Sequence, residues 1–379
     1  MDRIYFSRPY LAGMEYTNIN ASLATTSWHG DGDFTRRATA WLLDRTKAQG
    51  ALLTTSCTHA LELAAILLHL GPGDEVIVPS FTFSATATAI VSRGATPVFV
   101  DIEPTTLNVD PAAVEAAVTE RTKAVFVVHY AGVACDLDAI QTIADRHQLA
   151  IVEDNAHGIG AYLRGQHLGT FGTFGTQSWH DTKNVTSGEG GALLINDGQY
   201  LERAEIIREK GTNRAVFLRG QVDKYTWVDE GSSYLPSDLL AALLLAQFQR
   251  FEEIQDRRQY VWHSYADGLP AWAREQGVDL MHVPADREQP AHMFYIVMPT
   301  HADQDGLISH LREQEIVATF HYQPLDSAPA GIRLGRTPSP CTVSADRSAR
   351  LVRLPLHAGM SKVDTHRVLE AVTSYRSAS

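Results

Sequence analysis

The sequence predicts an α/β protein built on a mostly parallel, doubly covered sheet, followed by a smaller α+β unit. Two observations predict the sheet. Short, uniformly apolar runs alternate with amphipathic helical stretches from about residue 51 to residue 154, and strands buried on both faces read as apolar throughout. After Asp154 the alternation stops and hairpin-like segments take over. The large unit is expected over residues 1–258 and the small one over 259–379.

The elements follow in order. Phe34 to Lys47 has the pattern of an amphipathic helix after the turn-rich Gly30-Asp31-Gly32-Asp33. Ala51 to Thr54 is a short strand. The next helix carries Leu61, Ala64, Ala65 and Leu68 at helical spacing and is stopped by Gly71-Pro72-Gly73. Strands Glu75–Val78, Pro97–Asp101, Ala124–Val128 and Leu149–Asp154 alternate with helices Phe83–Arg93, Pro111–Val118 and Leu137–Gln148. Beyond Asp154, Tyr162–His167 reads as a small hairpin. Gly172–Trp179 and Gly191–Ile195 read as paired strands, and Tyr200–Lys210 as a helix. Asp238 to Arg257 reads as one long helix. Phe294–Met298 and Ile316–Phe320 are the strand candidates of the small unit.

Composition excludes several classes. A hydrophobic fraction of 44% and a charged fraction of 20% are those of a globular chain. A formal charge of −12 opposes nucleic-acid binding, which needs a basic face for the phosphates. No run approaches the roughly 18 apolar residues of a membrane span, and Met1 to Phe6 lacks a signal-peptide core, so a cytoplasmic protein with no membrane partner is expected. The three cysteines, Cys57, Cys135 and Cys341, form no C-x-x-C pair, and no metal site is expected.

Four features bear on chemistry. Thr55-Ser56-Cys57-Thr58 joins a strand to a helix N-terminus, where free amides and the helix dipole suit a phosphate, or where a hydroxyl merely caps the helix. Neither a G-x-x-x-x-G-K-[ST] loop nor a G-x-G-x-x-G fingerprint is present. Asp154 ends a buried strand, the place where open α/β sheets meet their ligands. It could serve a protonated ring nitrogen or a metal, or be a solvated loop carboxylate. Lys183 lies in a polar segment before Gly188-Glu189-Gly190-Gly191, as a nucleophilic amine or as an ordinary surface lysine. Taken together with the aromatic loop Phe81-Thr82-Phe83, these are the parts that a pyridoxal phosphate enzyme requires.

Several stretches then carry a resemblance. Ser56-Cys57-Thr58-His59-Ala60-Leu61, Gly73 through Phe83, Val152-Glu153-Asp154-Asn155-Ala156-His157-Gly158, and Ser178-Trp179-His180-Asp181-Thr182-Lys183-Asn184 resemble the DegT/DnrJ/EryC1/StrS sugar aminotransferases. These are fold type I enzymes dependent on pyridoxal 5′-phosphate. Phe34-Thr35-Arg36-Arg37, His129 through Cys135, Tyr225-Thr226-Trp227 and His292-Met293-Phe294-Tyr295 resemble the branch acting on dTDP-4-keto-6-deoxyglucose.

The resemblance implies that Lys183 forms the imine with the cofactor and later shuttles a proton, and that Asp154 pairs with its pyridine nitrogen. Phe83 would stack on the ring and His157 would lie near the phenolic oxygen. Cys57, Thr58 and Ser178 would hold the phosphate. It implies a homodimer with active sites between subunits. Ser233 stands where many relatives carry an asparagine that reaches the neighbour's phosphate, and keeps a single hydroxyl for that contact. Glutamate would be the amino donor and C4 of a dTDP-4-keto-6-deoxyhexose the acceptor. Arg214 and Arg219, in a stretch rich in basic residues, could meet the diphosphate or form a solvated face. His321-Tyr322 resembles the loop near the sugar, and also suits an ordinary strand exit. Lys183 speaks against the family's dehydratases, which carry a histidine there; a cofactor-binding sensor without turnover is the reading from another class.

Overall fold

The computed structural model describes residues 2–377. Its large sheet contains β1 (Gly50–Thr54), β2 (Glu75–Pro79), β3 (Thr96–Val100), β4 (Thr122–Val128) and β5 (Ala150–Asp154). After a hairpin formed by β6 (Tyr162–Leu163) and β7 (Gln166–His167) come β8 (Phe174–Ser178) and β9 (Gly191–Ile195). The sheet order is β1-β9-β8-β5-β4-β2-β3. β9 runs antiparallel to both of its neighbours, and β2, β3, β4, β5 and β8 pair in parallel.

The apolar strands are explained by cover on both faces. Val76, Val78, Phe126 and Val152 pack into a core that includes helix Cys57–Leu67. The alternating residues Ile77, Val125, Val127 and Ile151 enter a second core with helix Leu137–His147. Period-two side chains on strands covered on both sides produce this result.

The small unit adds β10 (Asp279–Leu280), β11 (Arg287–Glu288), β12 (Phe294–Val297) and β13 (Leu351–Leu354). β11 leaves it to pair with β6, while β10, β12 and β13 form one antiparallel sheet. Two sequence expectations are corrected here. The predicted helix Asp238–Arg257 is two helices, Asp238–Gln249 and Phe251–Gly268, because Arg250 leaves helical geometry at φ −118°, ψ 21°. Residues 258 and 259 lie inside the second of these. The segment Ile316–Phe320 makes only isolated bridges, Ile4 with Ile316 and Thr319 with Arg353. The third strand of the small sheet is instead β13, which was not anticipated.

One buried carboxylate ties the crossover after β5 to the sheet. Glu153 is fully buried. Its Oε1 accepts from the amides of Phe171 and Gly172, both at 2.7 Å, and Oε2 from the amide of Gly169 at 2.7 Å and from His129 Nε2 at 2.8 Å. His129 Nδ1 accepts from the Cys135 amide at 3.2 Å, so its proton resides on Nε2 and points at Glu153. Glu153→Ala strands these donors in a dry interior. We expect a loss of about 3 kcal/mol or more in denaturant unfolding, and a loss below about 1 kcal/mol would contradict this role.

Candidate active site

The C-terminal edge of the parallel strands gathers the site. β1 ends at Thr54 and feeds helix Cys57–Leu67; β2 ends before Phe81–Phe83; β5 ends at Asp154; and the β8–β9 connection carries Lys183. These connections line a cavity of about 470 Å³, within the range of ordinary ligand pockets. Cys57, Thr58, Phe83, Asp154, His157, Ser178, Lys183, His321 and Tyr322 all line it. Arg214, Arg219 and Ser233 do not. Arg219 is exposed and paired with Glu205 at 2.8 Å, and the backbone of Ser233 bridges to Glu209.

The helix beginning at Cys57 has the local structure of an anion seat. Ser56 Oγ accepts from the His59 amide at 3.1 Å and Ser56 O from the Ala60 amide at 3.2 Å. The first two amides, of Cys57 and Thr58, are left without intrahelical acceptors. Gly191 permits this helix start to lie against β9, since a Cβ there would come within 2.4 Å of Cys57 N. Burial pushes the Cys57 thiol up, so it stays protonated beside the amides.

Asp154 is buried and held on both oxygens. Thr86 Oγ1 donates to Oδ2 at 2.7 Å, and the Ala156 amide donates to Oδ1 at 3.2 Å. Thr86, itself buried, is a residue of the candidate site that the sequence reading missed, because only the fold brings it across 68 residues to Asp154.

Lys183 sits in a tight loop. The Trp179 amide donates to Gly190 O at 2.8 Å, the Ser187 amide to Trp179 O at 3.0 Å, and the Lys183 amide to His180 O at 2.9 Å. Its neighbour Asn184 anchors the loop: Nδ2 donates to Gln255 Oε1 at 3.0 Å and to Pro290 O at 2.6 Å. Burial, assisted by the charge of Arg353, pushes the Lys183 amine down to about 8 against the opposing pull of Asp154.

The imidazoles of His157, His292 and His321 also line the cavity. His292 Nδ1 lies 2.9 Å from Asn184 Oδ1, and its ring stacks on His157 at 4.3 Å. His157 Nδ1 is buried without a partner. Burial holds His157, His292 and His321 below their ordinary pKa, so all three are neutral. His321 stacks on Tyr322 at 3.6 Å and contacts Arg353 Nη1 at 2.6 Å. Arg353 was also missed; it lies within the short run Leu351-Val352-Arg353-Leu354, where nothing marks a ligand.

This combination of a parallel-sheet edge, a phosphate-suited helix start, a held carboxylate and a depressed lysine defines a class, the aminotransferases built on this sheet. The chain belongs to the DegT/DnrJ/EryC1/StrS aminotransferase family, whose model matches residues 10–373. Solved structures agree. It is similar to the aminotransferase TlmJ from Streptoalloteichus hindustanus, with 28% identity, 98% of each chain covered and a TM-score of 0.90. The putative sugar aminotransferase Spr1654 from Streptococcus pneumoniae, in its PLP form, matches at 26% identity, 98% of each chain and a TM-score of 0.90; its PMP form is also solved. DesV from S. venezuelae, solved in complex with a ketimine intermediate, matches at 29% identity, 98% of each chain and a TM-score of 0.88.

The residues present fit this family's cofactor, pyridoxal 5′-phosphate. The amides of Cys57 and Thr58 suit a phosphate, Asp154 has an oriented carboxylate for a ring N–H, and Phe83 keeps 61% of its surface exposed beside the cavity. The unpartnered Nδ1 of His157 calls for a polar neighbour of the kind a phenolic oxygen would be.

A lysine with a pKa near 8 offers roughly two orders of magnitude more neutral amine at pH 7 than an ordinary lysine. Uptake of pyridoxal phosphate by cofactor-free protein should therefore accelerate from pH 6 and level off above about pH 8, as followed by absorbance. A rate still climbing at pH 10 would show an unperturbed lysine.

Proposed function

We propose that this protein is a pyridoxal phosphate-dependent transaminase that moves the amino group of glutamate to C4 of a dTDP-4-keto-6-deoxyhexose, giving a dTDP-4-amino-4,6-dideoxyhexose. The observation that carries it is the pairing, in one cavity, of a depressed Lys183 amine with a carboxylate, Asp154, held by Thr86. Further support comes from His129 through Cys135 and His292 through Tyr295, which resemble the branch acting on that sugar.

When bound, pyridoxal phosphate supplies an electron sink for charge developing on the carbon beside the transferred nitrogen. The chain's own residues do the rest. Lys183 anchors the cofactor, and its freed amine moves a proton at the donor's α-carbon and, in the second half, at C4 of the sugar. Asp154 keeps the ring nitrogen protonated, and its two hydrogen bonds fix the direction of that contact. Phe83 would cover one ring face. Neutral His157 can hydrogen-bond an oxygen without adding a positive charge next to Lys183.

We place the working site between two subunits. Arg214, Arg219 and Ser233 stand away from their own chain's cavity, and the same stretch exposes Phe217, Leu218, Tyr225 and Trp227, an apolar set suited to burial against a second copy. In such a dimer, Ser233 would reach the partner's phosphate seat and Arg214 and Arg219 the nucleotide diphosphate. His321 and Tyr322 would border the sugar. Three unpaired thiols suit the reducing cytoplasm.

The test is the donor half-reaction. Glutamate added to the holoenzyme should abolish its visible absorption band and release 2-oxoglutarate. Subsequent dTDP-4-keto-6-deoxyglucose should restore the band and yield the 4-amino sugar. Lys183→Ala should lower turnover by at least ~10³-fold while the protein still folds. A holoenzyme whose spectrum glutamate leaves unchanged would be a cofactor-binding sensor.

A further inference from the structure

The turn that leads into β12 is strained and heavily anchored. Ala291 is wholly buried yet sits in the left-handed region at φ 48°, a conformation that is costly for a residue with a side chain and persists only where its surroundings hold it. Three successive carbonyls of this turn are taken by buried side chains. Pro290 O accepts from Gln255 Nε2 at 3.1 Å and from Asn184 Nδ2 at 2.6 Å, Ala291 O from Arg258 Nε at 3.0 Å, and His292 O from Arg258 Nη2 at 2.7 Å. Strain of this kind is kept where a side chain must be aimed. The side chain aimed here is His292, at the cavity wall.

The direction of its hydrogen bond follows from one backbone carbonyl. Pro290 O can only accept, so Gln255 and Asn184 both turn their NH₂ groups toward it. Asn184 Nδ2 also donates to Gln255 Oε1 at 3.0 Å, which leaves Asn184 Oδ1 facing His292. An amide oxygen only accepts, so His292 Nδ1, 2.9 Å away, carries the ring proton. Burial keeps this ring neutral. The Asn184 amide thus uses both its N–H groups and its oxygen, and it belongs to the residue directly after Lys183. The same imidazole stacks on His157 at 4.3 Å with 17° between the ring planes.

We propose that His292 is a positioning residue for Lys183: its Nδ1–H, aimed by the strained turn, holds the Asn184 amide, and Asn184 holds the lysine loop. This inference rests on the reading of Lys183 as the cofactor-binding amine of a transaminase. The backbone bonds of the loop, Lys183 to His180 O and Ser187 to Trp179 O, close it on itself. The Asn184 side chain ties it outward, to helix Phe251–Gly268 through Gln255 and to the turn before β12 through Pro290 and His292. An amine that must first reach the cofactor and then a substrate proton tolerates little displacement, and a shift of about 1 Å costs on the order of 10²-fold in rate. His292 acts through Asn184, so its loss should appear in rates and leave donor binding nearly unchanged. Through its stack on His157 the same fixed point steadies the ring assigned to the phenolic oxygen.

Three variants separate the donor from the ring. H292F keeps a flat ring against His157 and loses the donor, H292N keeps a donor near the Nδ1 position and loses the stack, and N184A removes the link. In holoenzyme, H292F and N184A should slow the glutamate-driven loss of the visible band about 10- to 100-fold. The glutamate concentration giving half the maximal rate should stay within about twofold. H292N should return the rate to within about threefold of wild type. The double variant H292F/N184A should be no slower than the slower single variant, because both break one contact. In cofactor-free protein, uptake of pyridoxal phosphate should slow in the same order, and nitrogen NMR of the wild type should place the His292 proton on Nδ1. Wild-type rates in H292F would overturn the proposal. So would an H292N as slow as H292F, which would make stacking the operative contact, or a His292 proton on Nε2. If H292F fails to fold, N184A must still be slow and H292N must still be near wild type. A wild-type holoenzyme inert to glutamate would defeat the transaminase reading, while the uptake rates and the NMR assignment would still decide the His292 contact.

Discussion

Glu153 and Asp154 are consecutive residues at the end of β5, and the period-two geometry of a strand sends their side chains to opposite faces. Glu153, on the buried face, spends both oxygens on three backbone amides of the Gly169–Gly172 turn and on His129. A carboxylate so enclosed is tolerable only with all of these donors in place, so the turn, β4 and β5 are locked together. That lock fixes where the chain re-enters the sheet as β8. It thereby fixes where Ser178 and the Lys183 loop emerge beside Asp154. Asp154 and Lys183 thus inherit their spacing from a polar cluster on the reverse side of the strand.

The electrostatics of the cavity follow from how few of its groups carry charge. Lys183 and Arg353 supply positive charge, Asp154 and the exposed Glu189 supply negative charge, and the helix start at Cys57 adds a partial positive end. The three histidines are kept neutral by burial, and Cys57 stays a thiol. The result is a site with more attraction for anions than the chain's overall charge of −12 would suggest. A phosphate, a carboxylate and a diphosphate are the groups the proposed reaction brings to it.

Much of the fold was legible because its strands are apolar on both faces and its helices end in recognisable stops such as Gly71-Pro72-Gly73. The break at Arg250 was not, since nothing local to that residue forbids a helix and the change of direction comes from packing. β13 was hidden by its brevity and by Arg353 at its centre, while Ile316–Phe320 had strand-forming residues but found only single bridging partners. In the site, Asp154 and Lys183 stood out through their positions at a strand end and in a Gly-rich loop. Thr86, Asn184 and Arg353 act through contacts with residues 68, 71 and 32 positions away, distances over which sequence pattern carries no signal.

The central claim is that Lys183, and no other lysine of the chain, is the amine that holds the cofactor. Reduction of the holoenzyme with borohydride, followed by proteolysis and mass spectrometry, tests it directly. The account predicts one phosphopyridoxyl group, on the peptide carrying Lys183 and on that residue. A modification at another lysine, or none despite bound cofactor, would contradict it.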